Sequence, residues 1–439
     1  MKAAFLFPGQ GSQKVGMGQD INNNFAESRT LFEAANNILG YDLAKLCFEG
    51  PEEQLKQTVY TQPALYVTSC AALSALRSRV NIEPFAVAGH SIGEYAALFA
   101  AGAMKFDTGL SLVCKRAELM QAAAAKSPGA MVAVLGIDAD VADACCADAK
   151  AEVGGVAVVA NYNCPGQIIL SGTVEAVTRA GELAKERGAK RAMPLAVSGA
   201  FHSPLMAAAG DELYASLRAA LFQQAKIPVV TNVNAEFSKS GADFAPLLTM
   251  QVSGSVRWEE SMRLLLAEGV TRFIELGSGD VLAGLMKRID KSVRVVSVQD
   301  SESLEAAVAL LTEPEEPTVA VEAGPDRLIY HIVKREVWDA ASARGEYRSE
   351  SLATEGFIHC SRIGQVAETG NRHYRARAGL TLLEIDTSKL SVEVKFEGAE
   401  NAETFPHIYG PLPLSAVVRV IDFPAGPDGR FKLPNELSN

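Results

Sequence analysis

The sequence predicts an α/β protein: a mostly parallel sheet with helices on both faces, a ferredoxin-like insert, and a small C-terminal α+β domain. Three observations carry this reading. In residues 1–311, short strand-like apolar runs alternate with Ala/Leu-rich helical runs, the text of a parallel sheet wrapped by helices. Within that part, residues 128–196 follow a βαββαβ order. An acidic, Pro-rich stretch at 312–325 then separates a last segment with its own apolar runs. At 439 residues and 48% hydrophobic side chains, the chain is too long for one core and rich enough to bury several. The predicted boundaries are 1–127 with 197–311 for the core, 128–196 for the insert, 312–325 for a linker and 326–439 for the last domain.

The elements follow in order. The opening run reaches Pro8 too soon for a signal peptide and reads as a buried strand. Residues 85–88 read as a second strand, stopped by Gly89, and a helical run begins after Ser91. Residues 110–125 are helical text, apolar apart from a few charges that include Arg116. In the insert, 130–135, 156–160, 167–171 and 191–197 read as strands, and 138–149 and 174–188 as helices. Such an insert can wall one side of a cleft. In the last domain, 328–333, 380–385 and 416–421 read as strands and 334–344 as a helix.

Composition excludes several classes. No run of about 18 apolar residues is present, so no membrane span is expected. A net charge of −11, with −5 in residues 1–311 and −6 in 312–439, argues against a nucleic-acid partner. The seven cysteines lack metal or disulfide-framework spacing and sit mostly in apolar helical text. They read as reduced core residues of a cytoplasmic protein.

The chemistry concentrates at Gly89-His90-Ser91-Ile92-Gly93. A Gly-x-Ser-x-Gly core between strand and helix places a hydroxyl at the tip of a sharp turn, at a helix N-terminus that favours negative charge. The bland alternative is a glycine-rich helix start that only packs tightly. A serine nucleophile needs a base. Residues 1–311 hold two histidines, His90 and His202; His90 adjoins Ser91 and points away, which leaves His202, in a Gly/Ser/Pro-flanked loop. A hydrogen-bonded loop histidine is the other reading of His202. No Asp or Glu motif between Ser91 and His202 offers the orienting acid that a plain esterase would carry. The loop Gly9-Gln10-Gly11 follows the first strand, and its backbone N–H groups, with that of Ile92, can hold an oxyanion; alternatively it is a plain turn.

Gly9-Gln10-Gly11-Ser12-Gln13, Gly89-His90-Ser91-Ile92-Gly93-Glu94 and Phe201-His202-Ser203, together with Thr61-Gln62-Pro63-Ala64, Cys114-Lys115-Arg116, Asn161-Tyr162-Asn163-Cys164-Pro165-Gly166-Gln167 and Val256-Arg257-Trp258, resemble the malonyl-CoA:acyl carrier protein transacylase family of type II fatty acid synthesis over residues 1–311. The resemblance implies an acyltransferase core related to the α/β-hydrolase type. It implies malonyl-CoA as substrate, holo-acyl carrier protein as partner, and no cofactor for the transfer. Ser91 would carry the malonyl group and His202 act as base. Gln10 and the Ile92 N–H would bound the oxyanion hole, and the Gln251 main-chain carbonyl would orient His202. Arg116 would pair with the malonyl carboxylate, a match of planar fork to carboxylate, with Gln62 and Asn161 in the substrate pocket. Read without the family, Arg116 is a helix-surface ion pair with Glu118 or a nearby acid. Two loops depart from the family pattern: Ser255 stands where proline is usual, and Gly277-Ser278-Gly279-Asp280 where Gly-Pro-Gly-Lys is usual. Lys185, Arg187, Lys190 and Arg191 form a basic cluster on the insert that fits an acidic carrier protein, or a solvated helix end.

Glu355-Gly356-Phe357-Ile358-His359-Cys360-Ser361 and Phe405-Pro406-His407-Ile408-Tyr409-Gly410 resemble a bacterial domain family of unknown function, itself distantly similar to the ADP-ribosyltransferase fold. That resemblance implies a nucleotide-sized pocket lined by His331, His359 and Ser361, taking NAD or an ADP-ribose-like ligand; the bland reading makes them polar core and loop residues. Arg372, Arg375 and Arg377 around Tyr374 suit phosphate or solvent. Two other functions stay open: a hydrolase using the same nucleophile, separated by whether water or a thiol accepts the acyl group, and a non-enzymatic scaffold, which would form no acyl-Ser91.

Overall fold

The first strand, β1 (Ala3–Phe7), is buried along its whole length. Ala3, Phe5 and Phe7 enter one core, and Ala4 and Leu6 the core on the opposite face. In β2 (Ala86–Gly89), Val87 joins the first core while Ala86 and Ala88 join the second. A sheet covered on both faces needs continuous apolar strands, which is why these runs lack alternation.

The computed structural model of the chain describes residues 2–197, 199–313, 327–342, 346–375, 377–390, 392, 394–398, 404–426 and 428–437. They divide into two compact units, Met1–Pro314 and Glu315–Asn439. Most of the expected linker lies outside the described residues; its first residue, Thr312, closes the helix Ser301–Thr312.

The insert is built from β3 (Ala130–Leu135), β4 (Ala157–Cys164), β5 (Gln167–Gly172) and β6 (Arg191–Pro194), with helices Ala139–Val153 and Val174–Glu186. Its strands lie antiparallel in the order β4-β5-β3-β6 around a separate core that includes Val134, Cys145, Leu170 and Ala180. Two expectations need correction. The strand expected at 156–160 runs on to Cys164, because it pairs with β5 through two bulges up to the Cys164–Gln167 pair. The strand expected at 191–197 stops at Pro194, a residue with no N–H to continue a ladder.

Returning to the core, β7 (Val229–Val230), β8 (Phe237–Ser238), β9 (Arg272–Leu276) and β10 (Arg294–Val298) complete a six-stranded sheet in the order β10-β9-β1-β2-β7-β8. All its pairs are parallel except β7 with β8. The helical text around Arg116 is one long helix, Phe106–Lys126. It packs on the helix Thr58–Arg79, which carries Gln62 and tolerates an interior Pro63.

In the second unit, β11 (Leu328–Lys334), β12 (Glu346–Tyr347), β13 (Ile358–His359), β14 (Leu380–Asp386), β15 (Val394–Glu397), β16 (Phe405–Ile408), β17 (Leu412–Pro413) and β18 (Val417–Asp422) form antiparallel sheets ordered β11-β14-β18, β12-β17 and β13-β16-β15. The helix expected at 334–344 spans Arg335–Ser342, and Arg344 lies outside the described residues. Among the described residues, no helix is long and apolar enough to cross a membrane.

Candidate active site

The loops that leave β1, β2 and β7 at their carboxyl ends converge, where open α/β sheets gather ligands. The turn after β2 has the geometry of a nucleophile elbow. Ser91 has a left-handed backbone, φ +52°, which few L-residues adopt. The flanking glycines are dictated by contact. A Cβ on Gly89 would lie 2.0 Å from the Gly93 carbonyl, and one on Gly93 would lie 2.1 Å from the Phe7 carbonyl oxygen. The helix Gly93–Ala100 starts directly behind the serine.

Ser91 Oγ lies 2.7 Å from His202 Nε2. His202 is buried and also left-handed, φ +56°. Its Nδ1 faces two main-chain carbonyls, Gln251 at 2.9 Å and Gly254 at 3.2 Å. These acceptors fix the Nδ1–H tautomer and leave Nε2 to accept the serine proton. Carbonyls therefore stand where an acid was missing from the sequence. Burial and the Arg116 guanidinium pull the imidazole far below its usual range, to about 3, so it is neutral at physiological pH.

Arg116 is 1% exposed. It donates to Gln62 Oε1 at 2.8 Å, Gln251 Oε1 at 2.9 Å and Ser91 Oγ at 3.2 Å, and its Nε has no hydrogen-bond partner among the described residues. Each of these hydrogen-bond partners is neutral. The surface ion pair with Glu118 is thus overturned: Arg116 sits on the helix face turned into the core, beside Ser91. Gln10, Ile92, Gln62 and Asn161 line the same cavity of about 440 Å³ as Ser91, His202 and Arg116. Met131 and Ile169 of the insert and Leu195 to Val197 after β6 line it as well.

Three contributors had no role assigned from sequence. Asn232, just past β7, accepts the Ser91 N–H at 2.7 Å and donates to the Gly89 carbonyl at 2.7 Å. Glu94, in the first turn behind the elbow, is buried and accepts from Gln251 Nε2 at 2.8 Å. Asn163 Oδ1 holds the His90 ring through Nε2 at 2.9 Å, and both residues line the cavity. A polar residue at the end of a core strand was the available signal for Asn232; an acid buried in an otherwise apolar helix was the signal for Glu94.

Arg187 is ion-paired with Asp148, while Lys190 and Arg191 flank the start of β6. In the second unit, His331 and Ser361 are buried and His359 is exposed. His331 uses both nitrogens, Nδ1 on the His359 carbonyl at 2.7 Å and Nε2 on the Tyr347 hydroxyl at 2.8 Å; Ser361 Oγ bonds Thr369 at 3.0 Å. His331 and Ser361 thus have their polar side-chain atoms partnered within the unit. Around Tyr374, Arg372 pairs with Glu368 and Arg377 lies over the ring. Among the described residues, no group of His, Cys, Asp and Glu is arranged to hold a metal ion.

Comparison with known proteins follows the same division. The acyl transferase domain family matches residues 4–323, and a family described as a protein of unknown function (DUF952) matches residues 332–420. The malonyl CoA-acyl carrier protein transacylase of Bacillus subtilis is 46% identical over 312 residues, covering 71% of this chain and 98% of the relative. A crystal structure of an acyl carrier protein S-malonyltransferase from Vibrio cholerae matches with TM-score 0.67 and 42% identity, over 70% of this chain and 99% of that one. A malonyl-transacylase solved in complex with its holo type II PKS acyl-carrier protein matches with TM-score 0.68 and 39% identity, over 71% of this chain and all of that one.

Proposed function

This chain belongs to the acyl transferase family, with malonyl CoA-acyl carrier protein transacylases as its relatives, and we propose that it moves a malonyl group from malonyl-CoA to the phosphopantetheine thiol of acyl carrier protein through an ester on Ser91. The reaction serves fatty acid synthesis. The observation that carries the reading is Arg116: a fully buried cation, hydrogen-bonded to neutral groups alone, 3.2 Å from the nucleophile. A malonyl carboxylate gives it the planar two-acceptor partner its geometry suits.

Ser91 Oγ attacks the thioester carbonyl while its proton passes to His202 Nε2. The oxyanion forms against the Gln10 loop and the Ile92 N–H, at the N-terminus of the elbow helix. Collapse expels the CoA thiolate, which takes the proton from His202. The carrier thiol then enters, gives its proton to the same nitrogen and reverses the sequence. The malonyl carboxylate also offsets the guanidinium charge that depresses His202, so the base strengthens once the correct acyl group is seated. Gln62 holds Arg116, and Asn161 lines the pocket wall. Intact-mass analysis tests this: wild type incubated with malonyl-CoA gains one malonyl group, and Ser91→Ala gains none. Release of that group by water as fast as by carrier protein would favour the hydrolase; no adduct would favour the scaffold.

The four-stranded insert we read as ferredoxin-like, on its βαββαβ order. Lys190 and Arg191, with Lys185, are our proposed carrier-docking patch; Arg187 is tied to Asp148 and contributes less. We place the protein in the cytoplasm, a reading supported by seven unpaired cysteines. The role of the second unit is unknown. NAD or an ADP-ribose-like ligand there rests on family resemblance to the ADP-ribosyltransferase fold, and the buried, satisfied His331 gives it no support. A rise in melting temperature with either ligand would establish it.

A further inference from the structure

Glu94 stands one step behind every reactive group. It is 1% exposed, at the first turn of the elbow helix. Its Oε2 accepts from Gln251 Nε2 at 2.8 Å and from the Asn232 main-chain N–H at 3.3 Å. Gln251 in turn donates to the Ser91 carbonyl at 2.8 Å, accepts from Arg116, and orients His202 through its own carbonyl. Asn232 pins both the Ser91 N–H and the Gly89 carbonyl. One carboxylate therefore anchors the two amide residues that hold Ser91, His202 and Arg116 in place.

The same carboxylate solves a charge problem. Arg116 is a buried cation with neutral hydrogen-bond partners, and a desolvated charge without a counter-ion is expensive. Glu94, across Gln251, is the carboxylate whose field acts on the guanidinium. We propose, on the reading that Arg116 takes the acyl carboxylate, that Glu94 is a positioning residue that orients Gln251 and Asn232 and is the resting counter-charge of Arg116, neutralised by a proton when the malonyl carboxylate arrives. Two carboxylates would otherwise share one guanidinium in a dry site.

The surroundings permit this. Burial pushes the Glu94 carboxyl up to about 7, so a proton is available to it near neutrality. The groups facing it do not titrate there. Arg116 stays charged, burial drives the Tyr95 phenol upward, and burial drives His202 and His90 downward. Acylation itself is proton-neutral, since the serine proton leaves on CoA.

The test compares malonyl-CoA with acetyl-CoA, which carries the same CoA phosphates but no acyl carboxylate, for full-length wild type, Glu94→Gln and Glu94→Ala. For wild type, the malonyl KM rises as pH climbs through about 7 while the acetyl KM does not. Glu94→Gln keeps an acceptor without the charge. Its malonyl KM at alkaline pH falls about fivefold or more, and its pH dependence flattens. Glu94→Ala loses kcat on both acyl groups, and Glu94→Gln restores it. A Glu94→Gln enzyme that retains the wild-type malonyl pH profile overturns the charge role; a Glu94→Ala enzyme with wild-type kcat overturns the positioning role. Should either variant fail to fold, wild type in an indicator-monitored, weakly buffered solution decides. Proton uptake on malonyl but not acetyl loading supports the proposal, and equal uptake refutes it. Failure of malonyl to appear on Ser91 at all would instead refute the reading of Arg116 and the site.

Discussion

Two buried histidines, one in each unit, have nearly the same surroundings and different chemistry. His202 lies between main-chain carbonyls at Nδ1 and the Ser91 hydroxyl at Nε2. His331 lies between the His359 carbonyl at Nδ1 and the Tyr347 hydroxyl at Nε2. Burial pulls both down, to about 3 and about 4. What differs is everything else. His202 stands in a left-handed loop, opens on a cavity and has a guanidinium beside its partner hydroxyl. His331 is in the middle of β11, and its partner hydroxyl belongs to the core residue Tyr347. An imidazole–hydroxyl pair is thus a structural unit first. On the proposed reading, it becomes a catalytic one when the hydroxyl is presented on a constrained turn, open to a cavity and beside a buried charge.

The largest test exchanges the two. His202→Ala should slow malonyl transfer by about 10²–10⁴-fold, the span of a general acid–base group, while His331→Ala should leave kcat and KM intact. His331→Ala should instead destabilise the second unit by about 1–3 kcal/mol for each group left unpaired, seen as faster amide exchange in β11 and β14. Loss of transfer in the His331 variant would break the comparison.

Arg116 sharpens it next. Arg116→Ala should lower malonyl transfer by about 2–4 kcal/mol relative to acetyl transfer, read as the ratio of kcat/KM on the two thioesters. An equal loss on both would mean that the guanidinium only braces Ser91.

The third test uses acid. His331 has a folded value of about 4 against an ordinary 6.5, so between those values the unfolded chain takes a proton that the folded chain refuses. Its neutral burial is therefore compatible with full stability above about 6.5 and erodes stability, by on the order of 3 kcal/mol, as pH falls toward 4. Acid titration of full-length protein against His331→Gln should show a shallower decline in the variant.

The smallest effects concern separability and docking. Glu313 pairs with Arg294 and Arg272, so a chain ending after Glu313 keeps the first unit's contacts. It should transfer malonate within about twofold of the full-length rate, as expected of a domain with its own core. Lys190→Glu combined with Arg191→Glu should raise the carrier-protein KM at low salt, by up to about tenfold, with acylation by malonyl-CoA unchanged.

How much of this could be read beforehand depends on the reach of each interaction. The elbow was legible because its constraint is local: Gly89 and Gly93 are demanded by contacts within one turn and with the neighbouring strand. His202 was legible because residues 1–311 offer two histidines and one adjoins the serine. The alternation of apolar runs gave the parallel sheet, but Pro194 and the bulges of β4 set strand ends that composition alone does not mark. Asn232 and Glu94 were missed because their partners lie 138 to 157 residues away in the chain. For His331, a strand buried on both faces does not reveal whether the ring nitrogens find partners inside the unit, because Tyr347 and His359 lie 16 and 28 residues on in the chain. The pairing of Arg187 with Asp148 joins two helices whose proximity follows from the insert's fold.

The left-handed backbones of Ser91 and His202 carry an evolutionary consequence. At Ser91 a glycine would relieve main-chain strain of about 1 kcal/mol while removing the proposed nucleophile, whereas at His202 the same relief is set against a buried ring's lost volume and two carbonyls left unpaired. Ser91 is thus the point where the folding landscape and the proposed fitness landscape slope in opposite directions. A strain-guided redesign of this scaffold that is blind to chemistry will be drawn to the one residue it must leave alone.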